Sequence, residues 1–153
     1  MAKVAVIGIG NPFRGDDGAG WAVIDALEGK VPCQIKLGKT RGEITEILSF
    51  FEDYSVLYLV DACLGSKEAG SWQRLDALKD NLYFENTQTS THGLSIAQAI
   101  SLAKTWEQLP TKLIVYAIFG ERFAVERSLS AKVGKAVPKV TESILQEEEI
   151  RHA

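Results

Sequence analysis

The sequence predicts a layered α/β domain built on a largely parallel sheet. Apolar runs of strand length alternate with segments of helical period along the chain. Two of those runs, Val4–Ile9 and Leu113–Phe119, are almost continuously apolar, as strands covered on both faces must be. The length of 153 residues suits one domain with a sizeable core.

The elements follow in order. Val4–Ile9 reads as a buried strand. Ala19, Ala22, Val23, Ala26 and Leu27 then share one face of a helix that Gly29 stops. Gln34–Leu37 is a weaker strand, and Glu43–Phe51 is helical with Ile44, Ile47, Leu48 and Phe51 on one side. Val56–Val60 is the second strong strand and ends on Asp61. Trp72–Leu75, flanked by Gly70 and polar residues, suits a short edge strand able to run antiparallel. Leu94–Trp106 is a helix with Ile96, Ala99, Ile100 and Ala103 facing inward. The last helix starts at Ser130, a good N-cap, and buries Val133, Ala136, Val137, Val140 and Ile144. Pro138 inside it is expected to kink it or split it in two. Residues 147–153, opening on Glu147-Glu148-Glu149, read as a charged, flexible, solvated tail. That leaves residues 1–146 as the folded domain and gives His152 no site role.

Composition narrows the partners. Hydrophobic residues make up 46 % and charged residues 24 %, the balance of a soluble globular protein. A formal charge of −3 argues against a nucleic-acid or anionic-membrane surface, which needs clustered positive charge. No apolar run approaches the ~18 residues of a membrane helix. Met1-Ala2-Lys3-Val4 leads straight into a strand without the regions of a signal peptide, so a cytoplasmic location is expected. Cys33 and Cys63 are too few for a disulfide framework and lack a metal-binding spacing.

Asp17, Asp61 and His92 are the candidate site. Asp17 follows the first strand through Gly10-Asn11-Pro12-Phe13-Arg14-Gly15-Asp16, Asp61 follows the second, and Ser90-Thr91-His92-Gly93 opens a helical stretch. Open α/β sheets bind ligands in the crevice outside the carboxyl ends of their strands. Two carboxylates and an imidazole converging there make an O,O,N set for a divalent ion with open positions. Read one at a time, the residues have plainer roles. Asp16 is placed to cap the helix that follows, Asp61 to cap a turn, and His92 to be an ordinary helix-start residue.

The Gly8-Ile9-Gly10 start invites a dinucleotide-binding reading, but the third glycine is replaced by Phe13. Asp16 and Asp17 also put negative charge where a phosphate would bind. The strand, Gly-x-Gly-Asn-Pro turn and helix also resemble the opening of the peptidyl-tRNA hydrolase family. That family follows the turn with a His-Asn pair, and Phe13–Gly18 contains no histidine.

Taken together, Val6–Asn11, Asp16-Asp17-Gly18-Ala19-Gly20, Val60-Asp61-Ala62 and Thr91-His92-Gly93-Leu94-Ser95 resemble the [NiFe]-hydrogenase maturation proteases. Phe119-Gly120-Glu121 and Leu129-Ser130 extend the resemblance to the late strand end and final helix start. The resemblance implies a phosphorylase/hydrolase-like three-layer α/β/α sandwich on a mostly parallel, twisted sheet of about five strands. It implies an endopeptidase that removes the C-terminal extension of a hydrogenase large-subunit precursor after nickel insertion. The nickel is carried by the precursor, and no organic cofactor, nucleic acid or membrane is involved. Asp17, Asp61 and His92 become the catalytic and metal-binding residues; some family members carry Glu at the first of these positions. The stretch Cys63–Gly70 is less typical of the family.

Three protein ligands leave room for groups of the substrate, so nickel held by precursor thiolates would license cleavage. Water attack on the scissile carbonyl suits this set. Either the metal acts as Lewis acid with a carboxylate handling the proton, or carboxylates alone do the chemistry and the metal docks the substrate. Arg41-Gly42 and Gly120-Glu121 are expected on the same rim, placed to hold the precursor's tail. Two other readings stay open: a peptidyl-tRNA-hydrolase-like hydrolase of another ester or peptide, and a non-catalytic nickel-dependent chaperone.

Overall fold

The computed structural model describes residues 2–65, 67–80, 87–88 and 91–153, with backbone alone for 87–88 and 91–95. The strands are β1 (Val4–Ile9), β2 (Lys36–Thr40), β3 (Val56–Gly65), β4 (Trp72–Asp76), β5 (Thr87–Gln88) and β6 (Lys112–Phe119). They pair in the order β2-β1-β3-β6-β4, with β5 added to the far end of β3. β2, β1, β3 and β6 are mutually parallel, so their carboxyl ends share one rim. β4 closes the edge antiparallel to β6, the direction its isolation between Gly70 and polar residues allowed.

Strand side chains alternate between faces, and both faces here are apolar. Val6, Val56, Tyr58, Val60, Ile114 and Tyr116 pack under helices α1 (Ala19–Leu27) and α4 (Ala131–Leu145). Ile7, Leu57, Leu59, Leu113 and Val115 pack under α2 (Ile44–Asp53) and α3 (Thr91–Thr105). The result is the three-layer α/β/α sandwich. Among the described residues no helix is long and apolar enough to cross a membrane.

Helix α1 lies unusually close to the sheet. A Cβ on Gly20 would sit 2.4 Å from the Val60 carbonyl oxygen and 2.7 Å from that of Ile9, so only glycine fits there. The first turn of α1 is thereby pressed onto the carboxyl end of β1 and the middle of β3.

Several expectations are corrected. The strand read as Val56–Val60 runs on to Gly65, because Ala62 and Cys63 still pair with Ile118 and Phe119 and Leu64 and Gly65 pair with β5. Asp61 therefore sits within β3, not after it. β2 lies at Lys36–Thr40 and not Gln34–Leu37, since its register with Ala5–Ile9 of β1 decides which residues pair. Pro138 does not split the last helix, which is continuous over Ala131–Leu145. Pro138 and Gly134, whose carbonyl loses its helical partner, both lie on the exposed side, where that oxygen is open to solvent.

The largest correction is the C-terminus. Glu148–Arg151 forms a short helix, α5, and Ile150 is 1 % exposed within the core. Glu147 takes a forked pair of hydrogen bonds from Arg74 at 2.7 and 2.9 Å and one from the Tyr116 hydroxyl. Glu149 accepts from the Tyr58 hydroxyl at 2.6 Å and from Lys112 at 2.8 Å. Burial and these acidic neighbours push both phenols well above their ordinary range. Glu149 is opposed by burial, yet Lys112 and Tyr58 hold it below the usual carboxylate value. What looked like a solvated acidic run is two carboxylates matched to buried phenols and cations, followed at once by a buried isoleucine.

Candidate active site

The segment between β1 and α1 folds into a 3₁₀ turn, Gly15–Gly18, all of it buried. Its position comes from the loop before it. The Gly10 amide donates to the Thr40 carbonyl at 3.0 Å, and the Asn11 amide donates to the Asp17 carbonyl at 3.1 Å. A Cβ on Gly10 would lie 2.0 Å from that same carbonyl oxygen, so the loop can wrap the turn only because residue 10 is glycine. Asp17 is held at the rim, 1 % exposed.

Asp61 is fully buried on β3, in register with Ile9 of β1 and Ala117 of β6. It alternates with Val60 and Ala62 and so shares the sheet face of Leu59 and Cys63, the face covered by α2 and α3. The 3₁₀ turn packs against β3, so both carboxylates belong to the same end of the sheet. A buried carboxylate is tolerated only with compensating partners, and two at one rim suit a cation or a proton-handling role.

His92 is the second residue of α3, but its side chain lies outside the described residues, as does Ser90. Among the described residues no three of His, Cys, Asp and Glu cluster closely enough to hold a metal ion.

Asp16 has a different task from the one expected. It does not cap α1, whose N-cap is Gly18 with no side-chain hydrogen bond. Its carboxylate reaches over 100 residues along the chain. Oδ2 accepts from the Glu121 and Arg122 amides at 2.9 and 3.0 Å and from Ser130 Oγ at 2.9 Å, while Oδ1 accepts from the Ser130 amide at 2.7 Å. Burial opposes the charge, but these four bonds outweigh it and hold Asp16 below the usual carboxylate range. Ser130 is the N-cap of α4, yet its own side chain makes no cap bond. Asp16 supplies the negative charge at that helix start from a distant part of the chain. The two adjacent aspartates therefore differ: Asp16 ties the rim together through four hydrogen bonds, and Asp17 lies buried beside it in the same turn.

The four rim residues fall where strand order puts them. Arg41 is exposed one residue beyond β2, and the buried Gly42 amide donates to Thr40 Oγ1 at 3.1 Å. Gly120 follows β6 and donates to the Cys63 carbonyl at 3.0 Å, and Glu121 is exposed while its amide is bound by Asp16. Cys63, beside Asp61, is buried. Desolvation, with the Asp61 charge adding, pushes its thiol far above its ordinary value, which removes it as a nucleophile.

Sequence reasoning missed Ser130 as a partner of Asp16, and missed Phe13 and Arg127. Phe13 is 47 % exposed, with the guanidinium of Arg41 at 5.9 Å and that of Arg127 at 5.3 Å from its ring centre. An aromatic residue in a glycine-rich loop was the available signal.

A family model described as hydrogenase maturation protease matches residues 40–147, a span that includes Asp61 and His92 and begins after Asp17. No curated protein matches the sequence. Among solved structures, the hydrogenase maturating endopeptidase HybD from E. coli is similar with a TM-score of 0.80 and 22 % identity, covering 94 % of this chain and 90 % of that one. An endopeptidase from Escherichia coli, solved in solution, gives 0.81 and 21 %, with 97 % and 94 % covered. The [NiFe] hydrogenase maturation protease HybD from Thermococcus kodakarensis gives 0.76 and 19 %, with 93 % and 96 % covered. At such identities the likeness speaks for the fold.

Proposed function

Since this chain belongs to the hydrogenase maturation protease family, we propose that it is the endopeptidase that removes the C-terminal extension of a [NiFe]-hydrogenase large-subunit precursor. In this reading, cleavage is licensed by nickel already inserted in that precursor. The ion arrives as part of the substrate, and Asp17, Asp61 and His92 are the groups that meet it. The observation that carries the reading is the pair of buried carboxylates, Asp17 and Asp61, at the carboxyl rim of one parallel sheet.

The donor set fits a first-row divalent ion, since carboxylate and imidazole bind such ions without the four thiolate or imidazole ligands of a closed structural site. On the chain's side, Asp17 and Asp61 have two duties. They orient the metal-bearing end of the substrate, and one of them takes the proton from the attacking water and returns it to the leaving amine. Both stay close to their places because β1, β3 and the Gly10 loop are fixed by backbone bonds.

The test is incubation with nickel-loaded and nickel-free precursor, read by mass. Wild type should shorten the loaded form alone, and Asp17→Asn, Asp61→Asn and His92→Ala should each abolish processing while thermal unfolding confirms a folded chain. Equal cleavage of nickel-free precursor would overturn the metal gate. If Asp17→Asn binds precursor as well as wild type but leaves it uncut, a pure chaperone role is excluded.

A further inference from the structure

We propose that Arg41, Phe13 and Arg127 form a clamp for acidic side chains in the precursor's C-terminal extension, beside the site that cuts it. This rests on the proposed protease reading and adds to it the chemistry of the segment recognised. Two guanidinium groups lie within 6 Å of the ring centre of one half-exposed phenylalanine, and Arg41 also lies 5.5 Å from the centre of the Trp21 ring. Among the described residues neither arginine forms an ion pair, although Lys39 nearby is paired with Asp25. Exposed like charges repel, so two of them gathered on one ring, with no carboxylate in ion-pairing distance among the described residues, favour an anionic partner.

The platform under them is fixed. Phe13 donates its amide to Asn11 Oδ1 at 3.0 Å and accepts from the Glu126 amide at 2.9 Å; Gly15 donates to the Glu126 carbonyl at 2.7 Å. Arg14 Nε donates to the Phe123 carbonyl at 3.3 Å, and Asp16 binds the same loop from beneath. The loops carrying Phe13 and Arg127 are therefore zipped together, and Arg41 is joined to them through Thr40, whose carbonyl accepts from both Gly10 and Trp21 Nε1. Phe13 and Asp17 are on one short loop, so a chain bound at the clamp passes close to the carboxylate rim. Planar guanidinium forks suit carboxylates, and the ring offers an apolar floor for the side chains between them. Two arginines are too few for a nucleic-acid track.

The experiment compares wild type, Arg41→Gln/Arg127→Gln and Arg41→Lys/Arg127→Lys. Each is given nickel-loaded precursor and a version whose extension has Asp and Glu changed to Asn and Gln. The double Gln variant should raise KM about tenfold, the size of two partly exposed ion pairs, with the loss residing in KM and not in kcat. The Lys variant should recover part of it, and the neutralised precursor should be indifferent to all three proteins. A fluorescent Glu-containing hexapeptide and its Gln counterpart give a direct binding readout that needs no turnover. If wild type binds both peptides equally, or if KM is unchanged in the double Gln variant, the clamp is wrong. If the Glu peptide is preferred but no precursor is cut, the clamp stands and the protease reading falls.

Discussion

Replacing Asp16 by Asn should destabilise the chain strongly without touching Asp17. In the native structure the two oxygens accept four hydrogen bonds. An Asn can keep its carbonyl at the Oδ2 position, serving Glu121, Arg122 and Ser130 Oγ. Its amide group then faces the Ser130 N–H, donor against donor, which costs roughly 1 to 3 kcal/mol for a buried unsatisfied group. The three surviving bonds lose their ionic character, about half their strength, which brings the total to roughly 3 to 4 kcal/mol. For a chain of this length that lowers Tm by roughly 10 °C. Asp25→Asn, which breaks only the exposed pair with Lys39 at 2.5 Å, is the control and should cost less than about 0.5 kcal/mol. The assay is urea unfolding followed by circular dichroism, repeated across pH. The folded carboxyl binds its proton more weakly than the unfolded one, so the wild-type advantage over Asp16→Asn is full above the unfolded value near 3.9 and fades as pH falls through the lower folded value. An Asp16→Asn loss no larger than that of Asp25→Asn, or a wild-type advantage that grows on acidification, would refute the anchoring role.

Two further outcomes test the packing. Deleting residues 147–153 should cost at least about 3 kcal/mol, since it removes the buried Ile150 and leaves the phenols of Tyr58 and Tyr116 without their carboxylates; thermal unfolding of the truncated chain measures it, and an unchanged Tm would restore the solvated-tail picture. Iodoacetamide at neutral pH should label exposed Cys33 and spare buried Cys63 until denaturant is added, with peptide mass mapping deciding between them.

The apolar runs made the layered sheet legible, because a strand covered on both faces has no polar face to alternate with. Val4–Ile9, Val56–Val60 and Leu113–Phe119 announce themselves in this way, and the place of Asp17 follows from where the first of them stops, whereas Asp61 lies inside a strand that runs on to Gly65. Edges were less clear. β2 mixes exposed, half-buried and buried residues with no alternation, so its true span was set by pairing with β1 and not by its own pattern.

Local sequence thus determined the kind of fold, the family and the residue types brought to the rim. Only the tertiary structure decided that Asp16 anchors Ser130, that Phe13 gathers Arg41 and Arg127, and that Glu147 and Glu149 close over buried tyrosines. The physical reason is common to all three. A hydrogen bond or ion pair between groups dozens of residues apart leaves no period or spacing in the chain, and its partners become visible only when the sheet has placed them side by side.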